Sequence, residues 1–327
     1  MIDLILPLPN RASNVFELGC YALGVLVLIH AFRRARWEGL LLLTAMVCGF
    51  LLEWTNIRTS SMYHYGSFQW MLASEPSWVP ACIAIAWGCI VYSVMRTTEL
   101  LPLSRAQRPL VCALLAFVID LALDPVAANS AITSDVYKAC IGPGFTAGDA
   151  PGLKFWTWCV TARYDTHTWY GIPLGNFFGW MAAIFGFTTG TLFVEARWPV
   201  RSLGLGKQLA CLAALAGVAA AVTYSILGVY GLLAFEASMP EWLIFTLGLG
   251  APLVVTIQMI PRVRRESAPA WIPLAVPLFV LGFCVWALVA TDAQLLKEAT
   301  FAWTFAVVAP LTLYLYCLPY RLRVASS

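Results

Sequence analysis

The sequence predicts an all-α protein, a polytopic bundle of about nine transmembrane helices. Of its 327 residues, 61% are hydrophobic and only 11% are charged, and the mean hydropathy is +0.78. Soluble globular domains average roughly 45–50% apolar and about 25% charged residues. The composition therefore excludes a soluble enzyme, a nucleic-acid-binding protein and a disordered scaffold. The net charge of +3 is too small to indicate a polyanionic partner.

Nine apolar segments are long enough to cross a bilayer of roughly 30 Å, which takes a helix of about 17–25 residues. They span residues 15–32, 39–57, 79–95, 109–128, 172–193, 208–233, 241–260, 271–290 and 301–318. No repeat, low-complexity tract or soluble domain is evident between them. Residues 1–327 are therefore expected to form a single integral-membrane domain with a long outer loop at 129–171.

The basic residues divide unevenly between the two sides of the predicted bundle. The segments that follow spans one, three, five, seven and nine carry fourteen of the twenty Lys and Arg residues, and the other segments carry six. Cytoplasmic loops of membrane proteins carry an excess of Lys and Arg. The sequence therefore predicts an N-terminus outside the cell and a C-terminus in the cytoplasm.

Two of the ten cysteines fall outside the predicted spans, Cys140 and Cys159, and both lie in the long outer loop. If that loop faces an oxidising compartment, a disulfide between them is expected. Such a bridge closes a loop of about 20 residues and contributes roughly 3 kcal/mol in the chain-entropy model. The alternative is two free thiols. The other eight cysteines are expected to act as small hydrophobes inside the spans.

Four acids fall within the predicted spans, and no Lys or Arg lies inside a span to pair with them. They are Glu17, Glu53, Asp120 and Asp124. An ionised carboxylate without a cation is costly in hydrocarbon, so some of these acids are expected to be protonated. A carboxylic acid held neutral near physiological pH can serve as a general acid.

Three of these acids are predicted to lie at similar depth in the membrane. Counted from the cytoplasmic end at about 1.5 Å per residue, Glu53 lies about 21 Å along its span, and Asp120 and Asp124 lie roughly 16 and 22 Å along theirs. Asn176 and Trp180 lie about 6 and 12 Å from the outer end of the fifth span. Together with Glu17, which lies in the first turn of its span from the outer side, all six residues therefore belong to the outer half of the membrane.

A structural role is the alternative for each acid. A protonated carboxyl inside a membrane often only hydrogen-bonds to a neighbouring helix. Glu17 lies in the first turn of its span, close enough to the interface to be in contact with water.

Aromatic residues surround the predicted acidic positions. They include Trp54, Tyr63, Tyr65, Trp70, Trp78, Trp156, Trp158, Tyr164, Trp169 and Tyr170. Belts of Trp and Tyr at the membrane interface explain part of this enrichment. Rings beside acids also suit a second task, because their π faces stabilise a cation and exclude water.

Several common chemistries lack support in the sequence. Only three histidines are present and no histidine boxes, which argues against a membrane di-iron enzyme. No Gly-x-Gly-x-x-Gly or Walker motif indicates a nucleotide site. Asp120 and Asp124 form a single acidic pair, whereas a Mg²⁺-diphosphate site needs two such clusters and basic residues for the phosphates. No cofactor or metal is therefore expected.

A series of motifs between residues 49 and 180 resembles the carotenoid biosynthesis protein family. That family includes the integral-membrane hydratases of acyclic carotenoid ends, of the bisanhydrobacterioruberin and γ-carotene hydratase type. The residues that carry the resemblance are, in order, Gly49, Glu53, Tyr63, Tyr65, Gly66, Val79, Pro80, Trp87, Asp120, Asp124, Pro125, Val126, Trp156, Trp158, Tyr170, Gly171, Ile172, Pro173, Asn176, Phe177, Gly179 and Trp180. Three features depart from the pattern: a longer stretch at 129–155, His64 between the two tyrosines, and helices at 208–320 without a recognised motif.

The resemblance implies an enzyme of a bacterial or archaeal cell membrane that adds water to a terminal double bond of an acyclic carotenoid or related isoprenoid. A neutral acid protonates the alkene, aromatic faces hold the tertiary cation, and a second carboxylate orients the water that captures it. We assign Glu53 and Asp124 as the catalytic pair and Asp120 as a modulator of Asp124. Which carboxylate is the acid and which is the base stays open. The expected substrate-binding residues are Asn176, Tyr63, Tyr65, Trp158, Tyr170 and Trp180.

Two other functions use the same residues. A membrane terpene cyclase also protonates an alkene, but an internal alkene captures the cation in place of water. A non-catalytic isoprenoid or lipid carrier would use the acids as a proton relay. The cyclase forms an isomer of its substrate, the hydratase adds water, and the carrier leaves the substrate unchanged.

Overall fold

A computed structural model describes residues 11–60, 63–65, 68–74, 77–129, 156–158, 168–170, 172–263, 271–290 and 299–320. Within these residues the chain forms nine α-helices. They are α1 (Arg11–Arg34), α2 (Arg36–Ser60), α3 (Ala81–Glu99), α4 (Arg108–Asn129), α5 (Leu174–Arg197), α6 (Leu205–Gly231), α7 (Glu241–Met259), α8 (Trp271–Ala290) and α9 (Ala299–Cys317).

The prediction of an all-α helical bundle is confirmed. Each of the nine apolar segments found in the sequence coincides with a helix in the described part of the chain. Eight of these helices are long and apolar enough to cross a bilayer, and the apolar part of α9, Phe301–Cys317, is shorter. These lengths and compositions are those of a multi-pass membrane protein.

Helix α4 lies at the centre of the bundle and packs against α3, α5, α7, α8 and α9. Of the most apolar 18-residue stretch of α4, 89% is buried, whereas the corresponding stretches of α6 and α7 are 28% and 22% buried. The side chains of Asp120 and Asp124 on α4 therefore lie in the protein interior, and α6 and α7 present much of their surface outward.

Three antiparallel strand pairs, which the sequence analysis did not predict, cap one end of the bundle. Strands β1 (Tyr63–Tyr65), β2 (Met71–Leu72) and β3 (Val79–Pro80) lie between α2 and α3, and β4 (Trp156–Trp158), β5 (Thr168–Trp169) and β6 (Ile172–Pro173) lie between α4 and α5. β2 pairs with β3 and β5 with β6. β1 pairs with β4, with Tyr63 opposite Trp158 and Tyr65 opposite Trp156, so the two connections are held together.

The opposite end of the bundle is held by an ion cluster around the buried carboxylate of Glu38. Arg34, Arg96 and Arg201 lie 2.8, 3.3 and 3.1 Å from its oxygens. These arginines belong to the basic set that the sequence analysis assigned to the cytoplasmic side. In the structure they also join the end of α1, the start of α2, the end of α3 and the segment after α5.

Cys140 and Cys159 lie outside the described residues, so their disulfide stays a prediction. The other eight cysteines are free, and six of them are buried.

Candidate functional site

A cavity of about 350 Å³ lies inside the bundle near its strand-capped end. Helices α2 to α7 contribute to its wall, together with β1, β4 and one residue of α1. Most of the wall is apolar, and its polar side chains are Glu53, Asn56, Tyr63, Tyr65, Asp124, Asn176, Tyr230 and Glu241. A concave, mostly apolar space with a few convergent polar groups is the usual form of a ligand site.

Glu53 is fixed by three aromatic donors. It lies two turns before the end of α2 and is only 6% exposed. Tyr63 and Tyr65 are two residues apart on β1 and so share one face of the strand. Both hydroxyls donate to Oε2 of Glu53, that of Tyr65 at 2.9 Å, and Nε1 of Trp87 donates to Oε1 at 2.8 Å. This set of three donors satisfies an ionised carboxylate.

The two tyrosines remain neutral donors. Burial raises the pKa of the Tyr63 and Tyr65 phenols well above the usual value, and the nearby charge of Glu53 raises both further. Each phenol therefore keeps its proton and continues to donate to the carboxylate.

Trp87 reaches Glu53 because α2 and α3 approach closely at Gly49. A Cβ atom on Gly49 would lie 2.4 Å from the Cβ of Trp87, so a larger residue would force the two helices apart. The ring of Trp87 also stacks on Trp180 of α5, with centroids 4.3 Å apart and planes inclined by 26°. The cavity thus has an aromatic wall directly beside the carboxylate.

Asp120 and Asp124 form a carboxyl pair one helical turn apart on α4. Nδ2 of Asn176 donates to Oδ2 of Asp124 and, at 3.2 Å, to Oδ2 of Asp120, and the indole of Trp156 also hydrogen-bonds to Asp124. Both carboxyls therefore accept from the same amide group, which holds the two acids close together. Asp124 lies on the cavity wall, whereas Asp120 is fully buried behind it.

The structure brings most of the predicted site residues together. The cavity wall includes Glu53, Asp124, Asn176, Tyr63, Tyr65 and Trp180. The backbone of Trp158 pairs with Tyr63 through the β1–β4 ladder, but its side chain lies outside the described part of the structure. Asp120 does not line the cavity and is linked to it by Asn176, which also bonds to Asp124.

Tyr170, which was predicted to line the pocket, faces another part of the bundle. Its backbone has a φ of 49°, in the left-handed region. Its hydroxyl lies 3.0 Å from Oγ1 of Thr304, and its ring packs edge-on against Phe301. The turn before β6 therefore directs this side chain towards α9 and away from the acids.

Glu17 has a structural role, which the sequence analysis gave as the alternative to a catalytic one. Its carboxylate is fully buried and accepts hydrogen bonds from the backbone N–H groups of Gln69 and Trp70, at 2.8 and 3.0 Å. The hydroxyl of Tyr21 donates to it at 2.5 Å. Glu17 thereby holds the segment before β2 against α1.

The sequence analysis missed one side of the cavity. Helices α6 and α7, which carry no recognised motif, and the π-helical turn Leu232–Glu236 between them form part of the wall. Their wall residues are Leu227, Tyr230, Gly231, Phe235 and Glu241. A Cβ atom on Gly175 would lie 2.8 Å from the hydroxyl of Tyr230, so that glycine allows α6 to close the cavity. The π-helical turn is a structural signal, because such turns are frequent at functional sites.

No protein-family model matches the chain, and comparisons with curated proteins and with solved structures return no match. The fold and the cavity define a helical membrane protein with an acidic, aromatic-walled site within the bundle.

Proposed function

We propose that this protein adds water to a terminal carbon–carbon double bond of an acyclic carotenoid or a related isoprenoid. The resemblance of residues 49–180 to the carotenoid biosynthesis protein family supports this reaction class. One structural observation carries it: the wall of a single apolar cavity includes both the Glu53 carboxylate and Asp124, which Asn176 links to the buried Asp120.

The chemistry needs no redox step. The terminal group of such a chain has one alkene carbon with two methyl groups and one that bears a hydrogen. Protonation of the less substituted carbon places a tertiary cation on its neighbour. The oxygen of a water molecule bonds to that carbon, and the water then loses one proton, so the product is the substrate plus one water.

We assign the acid role to the carboxyl pair on α4. Two buried carboxyls one turn apart do not both ionise readily, so the pair keeps a proton, and Asp124, the member on the cavity wall, delivers it to the substrate. The donors Asn176 and Trp156 then stabilise the anion that Asp124 becomes. Asp120 is a positioning residue that acts through Asp124.

We assign the base role to Glu53. Its three donors favour the ionised form and fix its orientation, and in that form it orients a water molecule and accepts the proton that this water loses. The stacked rings of Trp87 and Trp180 present π faces to the cation between the acid and the base.

We further propose that all nine helices cross a bacterial or archaeal cell membrane, with the N-terminus outside and the C-terminus in the cytoplasm. The strand-capped end would then face outward and the Glu38 ion cluster inward. A C-terminal fusion to a fluorescent protein should be fluorescent, and a C-terminal fusion to alkaline phosphatase should be inactive. The reverse pattern would contradict this orientation.

Expression in a host that makes acyclic carotenes tests the reaction. In cells with the wild-type protein, we expect pigments whose mass is increased by one water for each reacted end. Cells with the double variant Glu53→Gln/Asp124→Asn should not make these pigments. Conversion to an isomer of unchanged mass would indicate the cyclase. An unchanged pigment profile, with the protein present in the membrane, would indicate the non-catalytic carrier.

A further inference from the structure

A second cavity of about 140 Å³ lies between α2, α3, α5 and α6. Small side chains form much of its wall, among them Ala45, Gly49, Ala216 and Ala220. These residues belong to the middle turns of α2 and α6, at the depth of the hydrocarbon if the helices span the membrane. The second cavity is therefore an apolar space within the bilayer region.

The two cavities adjoin. Leu52 and Trp87 line both of them. Trp87 is held by its hydrogen bond to Glu53 and its stack on Trp180. Leu52 is a partly buried aliphatic side chain that also separates the two cavities, and a change of its rotamer would join them.

The second cavity also reaches the outer surface of the bundle. Its wall includes Leu51 and Tyr224, which are 48% and 45% exposed, as well as the exposed Ala220. The opening lies on the side where α2 faces α6. An apolar chain in the bilayer would thus meet this opening directly from the lipid.

The acid cavity alone is small for a long substrate. Its volume of about 350 Å³ is near the lower end of the range of roughly 300–1,000 Å³ that holds a drug-sized ligand. A terminal double bond at Glu53 and Asp124 would place one end of the chain there. The remainder of a long chain must continue elsewhere, and the adjoining apolar cavity leads to the bilayer.

We propose that the second cavity binds the unreactive part of a linear isoprenoid chain and that the chain reaches the acids laterally, between α2 and α6. This inference rests on the proposed function for the identity of the reacting end. It adds the substrate class: a long, linear and apolar chain, bound with its end towards Glu53 and its remainder towards the lipid.

A matched pair of alanines tests this site. Ala220 lines the second cavity, whereas its neighbour Ala221 is exposed on the same helix and does not. We expect Ala220→Trp to lower hydration of a long acyclic carotene by about tenfold or more, because the indole fills the chain site. Ala221→Trp should leave that rate unchanged. Both variants should hydrate a short acyclic monoterpene with the same end group as the wild type does.

Equal rates of carotene hydration by Ala220→Trp and wild-type protein would overturn the proposal, as would an equal loss in both variants. A parallel loss with the short substrate would also overturn it, because a blocked chain site should not affect a molecule that fits the acid cavity.

A photo-crosslinking measurement tests the same site without turnover. The probe is a long acyclic isoprenoid with a diazirine in the middle of its chain, added to membranes that contain the wild-type protein. We expect labelled peptides from the middle of the four helices that line the second cavity, α2, α3, α5 and α6, and competition by unlabelled carotene. Label confined to helices that do not line this cavity would overturn the chain site even if hydration occurs. Absence of hydration in the presence of this label would instead contradict the proposed reaction.

Discussion

Trp87 hydrogen-bonds to Glu53 through its indole nitrogen, which lies 2.8 Å from Oε1 of the carboxylate. The same ring stacks on Trp180 and borders both cavities. One side chain thus orients the proposed base and supplies a π face beside it. The two tasks can be separated by substitution, because only one of them needs the N–H group.

Trp87→Phe should retain the aromatic face and lose the donor. We expect hydration to fall by about 10²-fold, since removal of one preorganised donor from a charged catalytic group typically costs that much. Product formed per amount of membrane protein is the measurement. Trp54→Phe is the control, because Trp54 lies on α2 outside the wall of the acid cavity. Equal activities of the two variants would contradict a role for this hydrogen bond.

The acid and base assignments predict different defects for Glu53→Gln and Asp124→Asn. Without the base, the substrate is still protonated, but the cation returns its proton instead of binding water. In heavy water, Glu53→Gln should therefore incorporate deuterium into recovered substrate while it makes little alcohol. Asp124→Asn should show neither deuterium nor alcohol, because no proton is delivered. Mass spectrometry of recovered carotene measures both, and the opposite pattern would exchange the two roles.

Gly49→Ala should destabilise the protein, because the added methyl group would lie 2.4 Å from the Cβ of Trp87. Overpacking of this kind typically costs about 1–3 kcal/mol. The measurement is the thermal unfolding midpoint of the protein in detergent, which should fall. Gly217→Ala is the matched control on α6, where a Cβ would meet no atom within 4 Å. A normal midpoint for Gly49→Ala would show that α2 and α3 can separate at little cost.

Glu38→Gln should weaken the end of the bundle opposite the strands. The substitution removes the carboxylate that Arg34, Arg96 and Arg201 share, although Arg96 retains its ion pair with Glu99 at 2.5 Å. Removal of one partner of a buried ion pair costs about 3–5 kcal/mol, and the remaining Glu99 pair and solvent screening of the two exposed arginines reduce this to about 2–3 kcal/mol. Unfolding midpoints in detergent measure the loss. The exposed Glu236→Gln should unfold like the wild type, and an equal shift in both would contradict the proposed role of the cluster.

Much of the fold could be predicted because the bilayer imposes the length of each apolar segment. The acids stood out for a similar reason, since Glu53 and Asp124 have no cation within the spans. Their partners were harder to predict. The approach of Trp87 to Glu53 depends on how α2 packs on α3, and sequence spacing alone does not show which faces of two helices meet.

The turns and the later helices escaped prediction for physical reasons as well. Tyr170 precedes the motif that contains Asn176, but its left-handed backbone directs its ring towards Phe301. Tyr230 and Phe235 reach the cavity through helix packing and a π-helical turn, and neither leaves a periodic signal in the sequence. Short strands such as β1 and β4 depend on a distant partner, so local propensity does not reveal them.

The β1–β4 ladder has a consequence for the biogenesis of the protein. Ribosomes synthesise Tyr63 and Tyr65 well before Trp156, and α3 and α4 must enter the membrane between them. Glu53 is therefore synthesised before the β1–β4 ladder, which holds its donors Tyr63 and Tyr65, can form. Asp124 is likewise synthesised before Trp156. The cavity is completed late, because the wall residues of α6 and α7 are synthesised after those of α2 to α5.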